Sequence, residues 1–163
     1  MQYINLDLDG VFADFEANFR NIVGFNYHDD PKGAWKILEK VDNLFRHLEP
    51  IPYSLDMFNE IYVRAKVPVR ILTALPLLTG RLRTAKVDKE YWVRRFLDDE
   101  IRVICSNTWR DKKNYCNPGD ILVDDMMRNI DEWTAVGGVG ILHDPKSPEI
   151  TIQNLVECGA ISG

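Results

Sequence analysis

The chain has 163 residues, enough to bury a real core within a single domain. Hydrophobic residues at 45% and charged residues at 28% are ordinary for a soluble globular protein, and a formal net charge of −5 argues against a nucleic-acid polymer as partner, since such surfaces need a basic patch. No apolar stretch approaches the roughly 20 residues that cross a bilayer, so no membrane partner is expected.

Met1-Gln2-Tyr3-Ile4-Asn5 lacks the basic start and apolar run of a signal peptide. Cys105, Cys116 and Cys158 follow no metal-ligand or disulfide spacing and read as reduced thiols. Both features point to a cytoplasmic protein, cellular or virus-encoded.

Tyr3 to Leu8 reads as a strand running into a loop, and Val11 to Val23 as an amphipathic helix ended by Gly24. Residues 25–52 differ in character, with Tyr27, Trp35, Phe45 and Leu48 set among charges and broken by Pro31, Gly33 and Pro50. That aromatic content predicts a small helical insertion rather than a disordered linker. From Ser54 the alternation is regular. Helices are expected at Ser54–Ala65, Asp88–Leu97, Ile130–Val136 and from Pro148 toward Cys158. Strands are expected at Val69–Thr73, Ile101–Cys105, Ile121–Val123 and Val139–Leu142. The alternation predicts an α/β fold with a mostly parallel sheet covered on both faces.

In such sheets ligands bind beyond the carboxyl ends of the strands. Three predicted strands end in polar groups there: Asp7-Leu8-Asp9-Gly10, Thr73, and Asp124-Asp125. A single aspartate at a strand end is usually a cap or turn residue, and Asp124-Asp125 alone reads as structural. Carboxylates gathered from separate strands repel one another unless a cation lies between them. Oxygen ligands without histidine or cysteine favour magnesium. Together with Thr73 and the Lys112-Lys113 loop, the acids suit a phosphoryl group.

The segment Asp7-Leu8-Asp9-Gly10-Val11-Phe12-Ala13-Asp14-Phe15 closely resembles the first motif of the haloacid dehalogenase (HAD) superfamily of phosphatases. The fuller match is to the 5′(3′)-deoxyribonucleotidases. It is echoed in Leu48-Glu49-Pro50-Ile51-Pro52, Ile71-Leu72-Thr73-Ala74, Lys89-Glu90-Tyr91-Trp92-Val93, Ile121-Leu122-Val123-Asp124-Asp125 and Gly138-Val139-Gly140-Ile141-Leu142-His143. The resemblance implies a Rossmann-like, HAD-like domain over residues 1–163 with a helical cap at about 25–52.

It also implies roles. Asp7 is the nucleophile that forms an aspartyl-phosphate, and Asp9 is the general acid and base. Magnesium (Mg2+) is held by the Asp7 carboxylate, the Asp9 backbone carbonyl and Asp125, with Asp124 as a supporting or water-mediated partner. Thr73 and Lys112 bind phosphate, Lys112 being preferred to Lys113 because Arg110-Asp111-Lys112 resembles the family arrangement. Lys89 matches another family lysine but is assigned to a helix surface. Phe15 and Trp35 are the candidates for holding a base, with Tyr27 and Phe45 behind them and Phe45 assigned to the cap core; Arg46 and His47 receive no role. Ala74 departs from the small hydroxyl residue expected after Thr73.

The expected activity is hydrolysis of a small-molecule phosphomonoester, a nucleoside monophosphate and more narrowly a deoxyribonucleotide. A sugar phosphatase and a catalytically silent phosphate-binding module are the alternatives, and a homodimer is left open.

Overall fold

The computed structural model describes residues 2–163. Its framework is a five-stranded sheet, built from β1 (Ile4–Leu6), β2 (Val69–Ala74), β3 (Arg102–Ser106), β4 (Ile121–Asp124) and β5 (Val139–Leu142). The strand order is β3-β2-β1-β4-β5 and every pairing is parallel. The three inner strands are rich in Ile, Leu and Val because a sheet covered on both faces must be apolar on both.

Successive β2 and β4 residues point to opposite faces. Ile71, Ile121 and Val123 join a large core with Phe58 and Ile61 of α3 (Ser54–Arg64), Trp92 of α4 (Ala85–Phe96) and Leu155 of α6 (Pro148–Glu157). Leu72 and Leu122 form a second core with Ile130 and Trp133 of α5 (Met127–Ala135). Among the described residues, no helix is long and apolar enough to cross a membrane.

The predicted strands and most helices stand within a few residues of their expected bounds; the first helix is corrected. Helix α1 begins at Phe15 rather than Val11. Residues 8–13 form a tight buried turn, in which the Phe12 and Ala13 N–H groups donate to the Leu8 carbonyl at 2.9 and 3.0 Å. Val11, Phe12 and Ala13 are apolar because that turn is buried. Asp14 then caps α1 by accepting from the Ala17 N–H.

Residues 25–52 contain α2 (Pro31–Leu38) and a 3-10 helix at Leu44–His47. They are tied to α4 through Asp88, which is buried and accepts from Asn43 and Arg46, each at 3.0 Å, and from Thr84 at 2.6 Å. Arg46, left without a role by the sequence, thus joins this segment to the sheet domain, and it also stacks on Tyr91 at 4.2 Å. The Trp92 indole donates to the Leu48 carbonyl at 2.8 Å.

The order of strands reverses at β1, whose neighbours lead outward in opposite directions. The crevice beyond the carboxyl ends of β1 and β4, flanked by β2, is therefore where this topology offers a ligand site.

Candidate active site

In-register pairing brings Leu6 beside Ile71 and Val123, so the residues that follow emerge together: Asp7 after β1, Thr73 and Ala74 on β2, Asp124 and Asp125 at the end of β4. The Asp7 N–H donates to the Val123 carbonyl at 2.9 Å, extending the β1–β4 ladder by one residue and fixing the carboxylate over the sheet edge.

Asp7, Asp124 and Asp125 place carboxylate oxygens within 4.8 Å of one another. Lys112, only 3% exposed, lies against two of them: its Nζ is 2.7 Å from Asp7 Oδ1 and 2.8 Å from Asp124 Oδ2. Lys113 instead pairs with Glu132 at 3.6 Å. The choice between the two lysines is set by the 3-10 helix Trp109–Tyr115, opened by a reciprocal cap between Thr108 and Asp111, which turns Lys112 inward.

The two adjacent aspartates differ. Both oxygens of Asp124 are engaged, Oδ1 by the Met126 N–H at 2.8 Å and Oδ2 by Lys112 and by Asn129 Nδ2 at 3.0 Å. Asp125 is half-buried, lines the cleft and sits against Gly10. Gly10 has φ +82°, and a Cβ there would meet Asp125 Oδ2 at 2.2 Å. Glycine is thus required twice over, for the turn and for the space the carboxylate occupies.

One ammonium among three carboxylates leaves two negative charges unbalanced. Burial first, then the Asp124 charge, raises the Asp7 carboxyl to about 7, with Lys112 pulling down and Asp9 pushing further up. Burial, then Asp7 and Asp124, raises Asp125 to about 8. Burial disfavours the Lys112 ammonium, but Asp7 and Asp124 outweigh it and hold the lysine charged above its ordinary range. A divalent cation would supply the charge this cluster lacks, and an all-oxygen donor set is of the kind magnesium takes.

Lys89 corrects the expectation that it lies on a helix surface. It is 1% exposed and donates to Asp9 Oδ2 at 2.5 Å, Thr73 Oγ1 at 3.0 Å and the Ala74 carbonyl at 2.9 Å. Its Nζ also stands 4.5 Å from the centre of the Phe45 ring. Phe45 is therefore both buried in the core and part of the cleft wall. Since Thr73 Oγ1 accepts from Lys89, its hydroxyl hydrogen is left to donate into the cleft. Asp9 Oδ1 is buried with no protein partner, so the oxygen not held by Lys89 is free for a ligand.

These groups form the floor of a cleft of ≈ 220 Å³. Phe15, Tyr27 and Trp35 line one wall and Trp109, Met126 and Arg128 another. The first three belong to one aromatic cluster: Phe15 and Tyr27 have ring centres 5.4 Å apart, and Tyr27 and Trp35 6.5 Å. Sequence reasoning missed Asn129, Trp109 and Arg128, and it misplaced Lys89. A signal for Lys89 was present, because it stands three and four residues before Trp92 and Val93 on the buried stripe of α4.

No protein-family model matches the chain, and no curated protein is significantly similar to it. Among solved structures, the chain is similar to a hydrolase from Streptococcus pneumoniae TIGR4, with a TM-score of 0.50 at 13% sequence identity over 96% of this chain and 98% of that one. At that identity the likeness shows a shared α/β fold running the length of both chains.

Proposed function

We propose that the chain is a magnesium-dependent phosphomonoesterase acting through an aspartyl-phosphate on Asp7, with nucleoside monophosphates, and deoxyribonucleotides in particular, as substrates. The observation that carries this reading is the convergence of Asp7, Asp9, Asp125, Thr73 and Lys112 on one cleft at the sheet's switch point. The hydrolase activity of the similar solved structure supports the same broad reaction class.

Asp7, Asp125 and the Asp9 backbone carbonyl would hold magnesium, which when bound supplies positive charge to the phosphate oxygens. Everything else falls to the chain. An Asp7 oxygen attacks phosphorus, the bond from phosphorus to the leaving oxygen breaks, and Asp9 gives that oxygen its proton. Water then attacks the aspartyl-phosphate and gives a proton to Asp9, which releases inorganic phosphate and restores the Asp7 carboxylate. Lys89 fixes the Asp9 carboxylate by one oxygen and leaves the other without a protein partner. Thr73 donates its hydroxyl to a phosphate oxygen, and Lys112, which keeps Asp7 and Asp124 in register, has its third N–H left to donate to the same phosphate. The carboxylates exclude phosphate until their charge is balanced, so activity depends on the divalent ion.

The aromatic wall supports a nucleotide over a sugar phosphate, because stacking contributes on the order of 1–3 kcal/mol per base. The test is phosphate release across deoxy- and ribonucleoside monophosphates and sugar phosphates, with magnesium or with chelator. Magnesium-dependent release, preferring nucleotides and abolished in Asp7→Asn, is expected. Full activity in Asp7→Asn overturns the nucleophile assignment, and a preference for sugar phosphates overturns the substrate class.

A further inference from the structure

The cleft contains a cation that the proposed chemistry leaves unused. Lys112 is committed to Asp7 and Asp124, and Lys89 directs three hydrogen bonds to Asp9, Thr73 and the Ala74 carbonyl. Arg128, in the first turn of α5, lines the same cleft and is exposed. Among the described residues it forms no ion pair and no side-chain hydrogen bond, and acids near it are engaged elsewhere: Glu16 with His28 at 3.1 Å, Glu132 with Lys113 at 3.6 Å.

Arg128 is nevertheless held in place. Its guanidinium carbon lies 3.5 Å from the centre of the Trp109 ring, which also carries Arg110 at 4.5 Å. Stacking fixes the plane of a guanidinium without consuming any of its N–H donors. The cap lies within reach of the same charge. Burial raises the Tyr27 phenol, Arg128 draws it back, and Glu16 and Asp125 push it up again. Arg128 thus stands at the rim near both the cap wall and the carboxylate floor, whereas Asp7, which a reacting phosphate must touch, is 6% exposed at the bottom.

We propose that Arg128 clamps a second anionic group of the substrate, a phosphate or a carboxylate, remote from the phosphate that reacts. The inference rests on the phosphomonoesterase reading above and narrows its substrate class. A positioned guanidinium with all its donors open binds oxyanions in a forked, two-bond geometry. In a cleft walled by Asp7, Asp9, Glu16 and Asp125, it is the charge that offsets the repulsion a doubly anionic substrate would meet.

Two substrate pairs separate the sources of the charge. Deoxyadenosine 3′,5′-bisphosphate against deoxyadenosine 5′-monophosphate tests a second phosphate; orotidine 5′-monophosphate against uridine 5′-monophosphate tests a carboxylate. Affinity is read by calorimetry with magnesium in the Asp7→Asn protein, so that nothing turns over, and wild-type phosphate release is followed in parallel. The expected result is a preference of roughly 10- to 100-fold for the doubly anionic member of at least one pair, as a charge-assisted contact supplies. It should fall below about threefold in Arg128→Ala and Arg128→Gln and persist in part in Arg128→Lys, which keeps the charge but not the fork. No preference in either pair, or one that survives Arg128→Ala, overturns the proposal. Absence of phosphate release from every substrate would overturn the phosphatase reading instead, while the binding ratios still decide the role of Arg128.

Discussion

Replacing Gly10 by alanine tests the metal assignment without substituting any carboxylate. A φ of +82° costs an L-residue about 1–2 kcal/mol, and for a chain of this length each kcal/mol shifts the melting temperature by roughly 2–4 °C. A loss of about 2–8 °C is therefore expected from the backbone alone. The new methyl carbon would lie 2.2 Å from Asp125 Oδ2, 2.5 Å from its Cγ and 2.8 Å from Oδ1, so the whole carboxylate must swing away. Asp124 is a poor substitute, because it is fully buried and already accepts three hydrogen bonds. The assay is phosphate release against magnesium concentration, with thermal melting alongside. Gly10→Ala should need at least about 100-fold more magnesium, at or beyond the upper end of losses seen when only a ligand's supporting contacts are removed. It should also resemble Asp125→Asn more than Asp124→Asn. A folded Gly10→Ala protein with wild-type magnesium dependence would refute Asp125 as a ligand.

Lys89→Met removes the group that fixes Asp9 and leaves three acceptors without their donor; kcat should fall about 100-fold or more, within the range of a general acid, with a smaller change in KM and a lower melting temperature. Unchanged kcat would deny Lys89 a positioning role. The Asp7 carboxyl is raised from 3.8 to about 7 by folding, so the folded state holds its proton more tightly than the unfolded chain. The stability this contributes is complete below pH 3.8 and is lost as pH rises through about 7. Chelated protein should therefore lose about 3 kcal/mol between roughly pH 5 and pH 7, at about 1.4 kcal/mol per pH unit, and magnesium should flatten that slope in thermal melts. Asp125 draws on the same charges and extends the window to about pH 8. Equal slopes with magnesium and chelator would argue against a metal at these acids. Asp88→Asn weakens the tie from Arg46, Asn43 and Thr84; a loss of about 2 kcal/mol, or roughly 4–8 °C, is expected, with faster proteolysis within residues 39–50. An unchanged melt would show that the tie contributes little.

What could be read from the sequence depended on how far apart the cooperating residues lie. Strands were legible because a sheet covered on both faces demands unbroken apolar runs, and the acids were legible because each directly follows such a run. The first helix was begun too early because apolar residues in a buried turn imitate helical spacing over five positions. Lys89 was misplaced for a different reason. A lysine in a helix is ordinarily a surface residue, and its burial here depends on Asp9, eighty positions away in sequence, and on Thr73 and the Ala74 carbonyl. Arg128 carried no local signal at all, since its relation to Trp109 exists only once the 3-10 helix at Trp109–Tyr115 has packed against α5.

The charge arrangement itself argues that the cleft is built for a ligand rather than for stability. A buried ion pair is at best a weak stabiliser, and apolar side chains of similar volume often serve the fold as well or better. This cleft is less favourable than a simple pair, with three carboxylates beside one ammonium and two of the acids pushed up to about 7 and about 8. Asp120 and Arg70, at the opposite end of the sheet, show how the same fold disposes of buried charge when structure is the only demand. There one acid faces one guanidinium at 3.6 Å, and the same guanidinium donates from Nε to Asn5 Oδ1 and from Nη2 to the Tyr115 carbonyl. The excess negative charge at the carboxyl end is therefore a local property of the site and not of the chain's acidic composition. Protons relieve it at low pH and a cation would relieve it at neutral pH, so under the proposed function magnesium binding and stability at neutral pH are two measurements of the same imbalance.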